Sequence, residues 1–241
     1  KAIICPHLYG NMTDMQELYK IIKEKKIFLI EDCAEAIGSY YKNKHAGNFG
    51  DIATFSFYGN KTISTGEGGM VCTNNKNLAR MIYKLKTQGL ASEKRPYYHD
   101  IVGFNYRMTN ICAAIGYSQM LNINKILKRK KKIFEKYESG FKNNKNILIL
   151  KNSKNVKSSY WLVVILIKKK IKREKLVNFL NKNNIETRPT FFQVHKMPMY
   201  SKKLKLINGE NLSAHGICLP SFPQLKNTEI KYIIDKINYF L

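Results

Sequence analysis

The sequence predicts an α/β protein: a mixed, mostly parallel sheet over residues 1–140, joined through a long helix to a small α+β unit over 141–241. Two observations predict it. An apolar strand, an amphipathic helix and an unbroken apolar strand follow one another before Asp32. That order suits a parallel sheet covered by helical crossovers. Beyond Gly140 the pattern changes to separated strands and a terminal amphipathic helix, which places a boundary near 138–150.

Each element has a local reason. Ala2-Ile3-Ile4-Cys5 is an apolar strand stopped by Pro6, and a turn follows at Gly10-Asn11. Thr13 or Asp14 caps a helix whose apolar positions, Met15, Leu18, Tyr19, Ile21 and Ile22, share one face. Ile27 to Ile30 forms the next strand and runs into Glu31-Asp32. Ligands of open α/β sheets sit beyond such carboxyl ends. Tyr41 to Asp51 is a glycine-containing connection, Ile52 to Phe57 a strand, and Gly66 to Gly69 a tight turn before a strand at Met70 to Thr73. Asn77 to Gly89 reads as a helix ended by glycine, and 90–106 as irregular. From Thr109 one long helix runs to about Tyr137, starting with small residues suited to close packing. The small unit holds a strand at 159–168, a helix at 172–183, a strand starting at Ile185 to Arg188, and a helix at 228–241.

Composition narrows the function classes. With 44% hydrophobic and 12% aromatic residues the chain has the makings of a core. No apolar run approaches the ~20 residues a bilayer span requires. The 42 Lys and Arg against 17 Asp and Glu give a net charge of +25. No reader motif accompanies that charge, so nucleic acid is not the expected partner, and an anionic substrate suits the basic surface. The run Lys125 to Lys136 interleaves Leu127, Ile133 and Phe134 with its charges, as the wet face of an amphipathic helix does. Five scattered cysteines without Cys-x-x-Cys spacing point to reduced thiols in a cytoplasmic protein, and no metal is expected.

The chemistry-bearing residues cluster between Asp32 and Thr109. They read Asp-Cys-Ala-Glu-Ala at 32–36, Gly-Asn-Phe-Gly-Asp at 47–51, Ser-Phe-Tyr-Gly-Asn-Lys at 56–61, Thr-Gly-Glu-Gly-Gly at 65–69 and Gly-Phe-Asn-Tyr-Arg-Met-Thr at 103–109. In this order and spacing they resemble the DegT/DnrJ/EryC1/StrS aminotransferases. These are fold-type I enzymes that use pyridoxal 5'-phosphate (PLP), pass through pyridoxamine phosphate, and act on nucleotide-linked keto-sugars. The resemblance runs from His7 to the terminal helix.

It implies a role for each matching residue. Lys61 is the lysine that forms the Schiff base, against the alternative of one surface lysine among many. Asp32 pairs with the pyridine nitrogen, keeping the ring protonated as an electron sink; the alternative is a helix cap. Glu35 lies near the cofactor's 3-hydroxyl or is structural. Ser56 bonds the phosphate, and Asn105 reaches the phosphate of a neighbouring subunit, which implies a homodimer. Within the family, segments 59–63, 108–116, 186–189 and 195–200 are most similar to enzymes that move an amino group from glutamate to carbon 4 of GDP-4-keto-6-deoxy-D-mannose. Arg188 and His195 then contact the substrate, or form a buried structural pair; Tyr9 and Arg107 are further candidates. UDP- and dTDP-linked 4-keto-6-deoxy sugars are the alternative substrates, and a non-catalytic remnant of the fold is the alternative to an enzyme. A branch of the family with histidine for the lysine dehydrates its sugar; Lys61 favours transamination. The family also carries an N-terminal segment with a phosphate-binding turn and an aromatic that stacks on the pyridine. The start at Lys1, directly in a strand, is therefore read as a cut edge, and exposed apolar surface is expected.

Overall fold

The structure is a computed structural model that describes residues 1–91, 95–168, 173–200 and 204–241. In chain order the elements are β1 (Ala2–Pro6), α1 (Met15–Lys25), β2 (Phe28–Asp32), β3 (Tyr40–Tyr41), β4 (Lys44–His45), β5 (Ile52–Ser56), β6 (Gly69–Cys72), α2 (Lys76–Lys86), α3 (Asn110–Leu121), α4 (Ile123–Phe141), β7 (Ile147–Ile149), β8 (Val156–Lys157), β9 (Val163–Ile167), α5 (Arg173–Lys182), β10 (Arg188–Pro189), α6 (Ile207–His215), β11 (Gly216–Leu219) and α7 (Asn227–Phe240). Short 3-10 turns lie at Val194–Lys196 and Pro198–Tyr200. The chain divides into two compact units, one of residues 1–126 with 152–159, the other of 127–151 with 160–241.

In the first unit the strand order is β1-β2-β5-β6. The first three run parallel and β6 is antiparallel to β5, so the sheet is mixed and mostly parallel. Asp14, not Thr13, caps α1: its carboxylate accepts the N–H groups of Gln16 at 3.0 Å and Glu17 at 3.2 Å. Met15 turns inward from α1 and joins Met12, Leu29, Cys33 and Ala53 in the core. The register sets Pro6, Asp32 and Thr54 side by side at the carboxyl edge of the parallel strands. The connection 41–51 holds the hairpin β3–β4, with β8 pairing alongside β3. Helix α2 starts one residue early, capped by Asn75, and ends at Lys86 rather than running to Gly89.

The single long helix expected over 109–137 is two helices, and Asn122 is the break. Its N–H donates to the carbonyls of Gln119 and Met120, and its side chain donates to the Ser118 carbonyl. An asparagine that satisfies nearby backbone groups in this way competes with continuation of the helix. Small residues do pack α3 tightly at one point: a Cβ at Gly116 would lie 2.9 Å from Thr65 Cγ2. Elsewhere α3 is open, with Ile111, Ile115, Tyr117 and Leu121 exposed, as are Ile4, Phe28 and Met70 on the sheet.

The second unit is an antiparallel sheet, β10-β11-β9-β7. Its core joins Ile133, Tyr137 and Phe141 of α4 to Val163 and Ile165 of β9, with Leu176, Leu180, Ile230 and Ile233 of α5 and α7. The strand expected from Ile185 is only Arg188–Pro189. Ile185 instead closes the preceding helix, its N–H donating to the Leu180 carbonyl at 2.9 Å behind Asn184 in the left-handed region. Helix α5 occupies the predicted position; Lys172, its expected first residue, lies outside the described residues, as do 92–94 of the irregular stretch.

Candidate active site

Parallel strands need crossovers, and the loops after β1, β2 and β5 converge at one sheet edge. That edge brings Lys61 to Glu35: Lys61 Nζ lies 3.6 Å from Glu35 Oε1, with both side chains largely buried (14% and 7% exposed). The other Glu35 oxygen accepts the N–H of Tyr9 at 2.8 Å. Tyr9 takes a left-handed backbone (φ 59°), which turns its N–H toward the carboxylate. Burial pushes the Glu35 carboxyl up, opposed by the Tyr9 N–H and the Lys61 charge and reinforced by Asp32. Asp32 ends β2, and its Oδ1 accepts the Ala34 N–H at 3.1 Å. No helix follows Asp32, only turns before β3, so the helix-cap alternative fails; the turn bond to Ala34 engages one of the two carboxylate oxygens.

The loop between β5 and β6 fixes Lys61. The Lys61 N–H donates to the Tyr58 carbonyl at 3.0 Å and the Thr65 N–H to the Phe57 carbonyl at 2.8 Å. Ser56 Oγ accepts the Tyr58 N–H at 3.3 Å, leaving its proton for an outside acceptor. Gly68 (φ 141°) sits in a conformation side chains rarely adopt, and a Cβ on it would lie 2.8 Å from both Met108 and Thr65.

Asn105 stands on the surface of the first unit. It bridges to Thr87, and the flanking bonds Gln88 N–H to Phe104 carbonyl and Tyr106 N–H to Lys86 carbonyl hold it there. Arg107 is exposed as well. Arg188 and His195 lie in the second unit. They are not the buried pair of the structural alternative: Arg188 is exposed beside Glu186 (3.7 Å), while the buried His195 ring faces Glu210 at 3.8 Å. Lys196 meets the same Glu210 carboxylate at 3.1 Å.

Sequence reasoning missed three groups. Glu31, with no exposed surface, accepts the N–H groups of Gly47 (2.9 Å), Phe49 (2.6 Å) and Gly50 (2.6 Å) and meets His7 Nε2 at 3.0 Å. His7 Nδ1 accepts the Thr13 N–H at 3.4 Å, so the ring proton sits on Nε2 and points at Glu31. Burial alone raises the Glu31 carboxyl; His7 and the three N–H groups outweigh it and hold the carboxyl below its usual value. The signal was a carboxylate inside an apolar strand. Cys33 joins His7 and Glu31 within 4.8 Å, a spacing a metal ion would accept, but these donors already occupy both Glu31 oxygens. Gln119 clamps Ser64, accepting its N–H at 3.1 Å and donating to its carbonyl. Thr62 follows Lys61 with a buried, unpartnered hydroxyl. Nothing in the sequence marks these last two.

The pattern of the DegT/DnrJ/EryC1/StrS aminotransferase family matches residues 1–238. The chain belongs to that family. GDP-perosamine synthase of Escherichia coli O157:H7 is 51% identical over 241 residues, all of this chain and 65% of the relative. GDP-perosamine synthase of Vibrio cholerae is 43% identical over 246 residues, again all of this chain and 66% of the relative. Helicobacter pylori PseC, an aminotransferase involved in the biosynthesis of pseudoaminic acid, superimposes with a TM-score of 0.91 at 26% identity, covering 98% of this chain and 66% of that one. The chain thus spans about 65% of the length of the curated relatives it matches. The family depends on PLP. The residues present fit such a group: an amine and a carboxylate at a sheet edge, a hydroxyl proton at Ser56, and an orphaned buried hydroxyl in the residue that follows the lysine. Among the described residues no helix is long and apolar enough to cross a membrane, and all five cysteines are free thiols.

Proposed function

We propose that the protein carrying this chain transfers the amino group of glutamate to carbon 4 of GDP-4-keto-6-deoxy-D-mannose, yielding GDP-perosamine for a surface polysaccharide such as O-antigen. The observation that carries the reading is the setting of Lys61: a largely buried lysine beside a buried carboxylate at the sheet edge of Asp32, within a family of PLP enzymes. Identity of 51% along the whole chain to one GDP-perosamine synthase supports this choice of sugar over UDP- or dTDP-linked ones.

Lys61 would hold the cofactor's aldehyde carbon, Asp32 its ring nitrogen, and Ser56 its phosphate, with Glu35 beside its 3-hydroxyl. When bound, PLP supplies an electron sink for the pair left as the donor's Cα–H bond breaks. The Lys61 amine, placed beside Glu35, would take up and return the proton of that carbon. Glu35, held by the Tyr9 N–H, keeps Nζ on one side of the site. The turn at Gly68-Gly69 keeps the loop close to the strand, since a Cβ at Gly69 would lie 2.7 Å from the Phe55 carbonyl oxygen.

In this reading residues 1–140 carry the cofactor site, and 141–241 carry Arg188 and His195, which contact the substrate. Two copies form a cytoplasmic homodimer, with Asn105 reaching the partner's phosphate; its surface position and the exposed apolar residues of α3 support that arrangement. The test is product formation from glutamate with GDP-, UDP- and dTDP-linked 4-keto-6-deoxy sugars. Turnover of the GDP sugar at least tenfold above the others is expected; a preference for another nucleotide overturns the choice of sugar, and no turnover of any overturns the activity.

A further inference from the structure

Residues 56–65 carry four serine and threonine hydroxyls, and three of them serve the loop's own backbone. Ser56 Oγ accepts the Tyr58 N–H, Ser64 Oγ accepts the Gly66 N–H at 3.0 Å, and Thr65 Oγ1 donates to the Glu67 carbonyl at 2.6 Å. Thr62 is the exception. It is 8% exposed, and its Oγ1 is one of two buried side-chain polar atoms without a hydrogen-bond partner among the described residues. Native folds rarely leave a buried hydroxyl unpaired, because it has given up water without a replacement.

The surroundings hold Thr62 in that state. Gln119 grips both backbone groups of Ser64, and the missing Cβ of Gly116 lets α3 press against Thr65. On the other side the N–H groups of Lys61 and Thr65 are tied to the Tyr58 and Phe57 carbonyls, and Ile63 is buried between them. The backbone from 61 to 65 is therefore pinned at both ends, and the hydroxyl pairs with no group of the loop. An unpaired donor in the residue that follows the reactive lysine suits a ligand that brings its own acceptor.

We propose that Thr62 is a cofactor-binding residue whose Oγ1 donates its proton to an acceptor oxygen of PLP held at Lys61. The inference rests on the proposed function above. PLP carries phosphate and phenolic oxygens, both strong acceptors, and the side chain that captures it is one residue away. Binding gives the hydroxyl the partner that the cofactor-free fold withholds.

The test compares T62V, which keeps the shape without the hydroxyl, with T62S, which keeps the hydroxyl. Two quantities are read on the full chain: the melting temperature without cofactor, and the Kd for PLP from its absorption. T62V is expected to melt about 2–4 °C higher without cofactor, as removal of an unpaired buried group should stabilise the fold. Its Kd should rise about tenfold, equivalent to about 1.4 kcal/mol, and T62S should match wild type. A T62V chain that binds PLP as tightly as wild type overturns the assignment, whatever its melting temperature. So does a lower melting temperature, which would mean the hydroxyl is already satisfied. The K61A variant separates the two levels. If wild type and K61A take up cofactor alike, the reading of Lys61 fails and this one with it; if only K61A loses uptake and T62V does not change, the Thr62 assignment alone fails.

Discussion

Replacing Glu31 with glutamine tests how the sheet edge is held. The side chain is isosteric but keeps a single acceptor oxygen. Placed where Oε1 lies, that oxygen still takes the Phe49 and Gly50 N–H groups. The amide nitrogen then faces the Gly47 N–H, donor against donor, and His7 must either do the same or move its proton to Nδ1 and lose Thr13. Each buried donor left unpaired costs about 1–3 kcal/mol, and two charge-assisted bonds fall to ordinary strength. The sum is about 4 kcal/mol, or about 8–16 °C in Tm for a chain of this size. The pH dependence carries the sign. Because the folded carboxyl titrates below 4.5, its contribution is complete above that pH and is lost as pH falls through the folded value. E31Q should be less stable than wild type at pH 7 and converge with it in acid. Urea unfolding at pH 7 and at decreasing pH measures both effects. A loss below about 1 kcal/mol at pH 7, or a constant gap down to acid, refutes this account of the network.

Two further perturbations follow from the packing. Lys130 is 4% exposed in α4, with its ammonium donating to the Ser221 carbonyl at 3.0 Å, and burial lowers its pKa to about 8. A base depressed in the fold makes stability rise with pH between about 8 and the unfolded value of 10.5, so K130M should abolish that rise in urea titrations; an unchanged slope contradicts it. Gly89 (φ 75°) meets Ile101 so closely that a Cβ would collide with the Ile101 carbonyl. G89A should therefore cost more than the ~1 kcal/mol of a left-handed alanine, checked by Tm, and should loosen the Gln88–Phe104 and Tyr106–Lys86 bonds that flank Asn105.

The sequence makes the strand–helix–strand frame legible because its signals are local. Ile27 to Ile30 is apolar without a break, and Asp14 stands one residue before the first buried helical position. The order of motifs from Asp32 to Lys61 is likewise readable, and in the structure Lys61 and Glu35 meet at one edge. What stayed hidden depends on contacts far apart in the chain. Gln119 lies 55 positions from Ser64, and no periodicity announces that pairing. The break at Asn122 rests on one side chain within a run of helix formers, where propensity alone favours continuation. A β-branched apolar residue such as Ile185 suits a strand, but the turn at Asn184 folds it back to close α5. The role of Glu31 is hidden for the same reason, since its partners come from His7 and residues 47–50.

The central claim is that Lys61 captures PLP and that glutamate then donates its amino group. The most direct measurement is the visible absorption spectrum of the protein with PLP, before and after glutamate, for wild type and K61A. Wild type is expected to show a visible band that glutamate bleaches and that K61A does not form. A band that is identical in K61A, or that glutamate leaves unchanged, would contradict the claim.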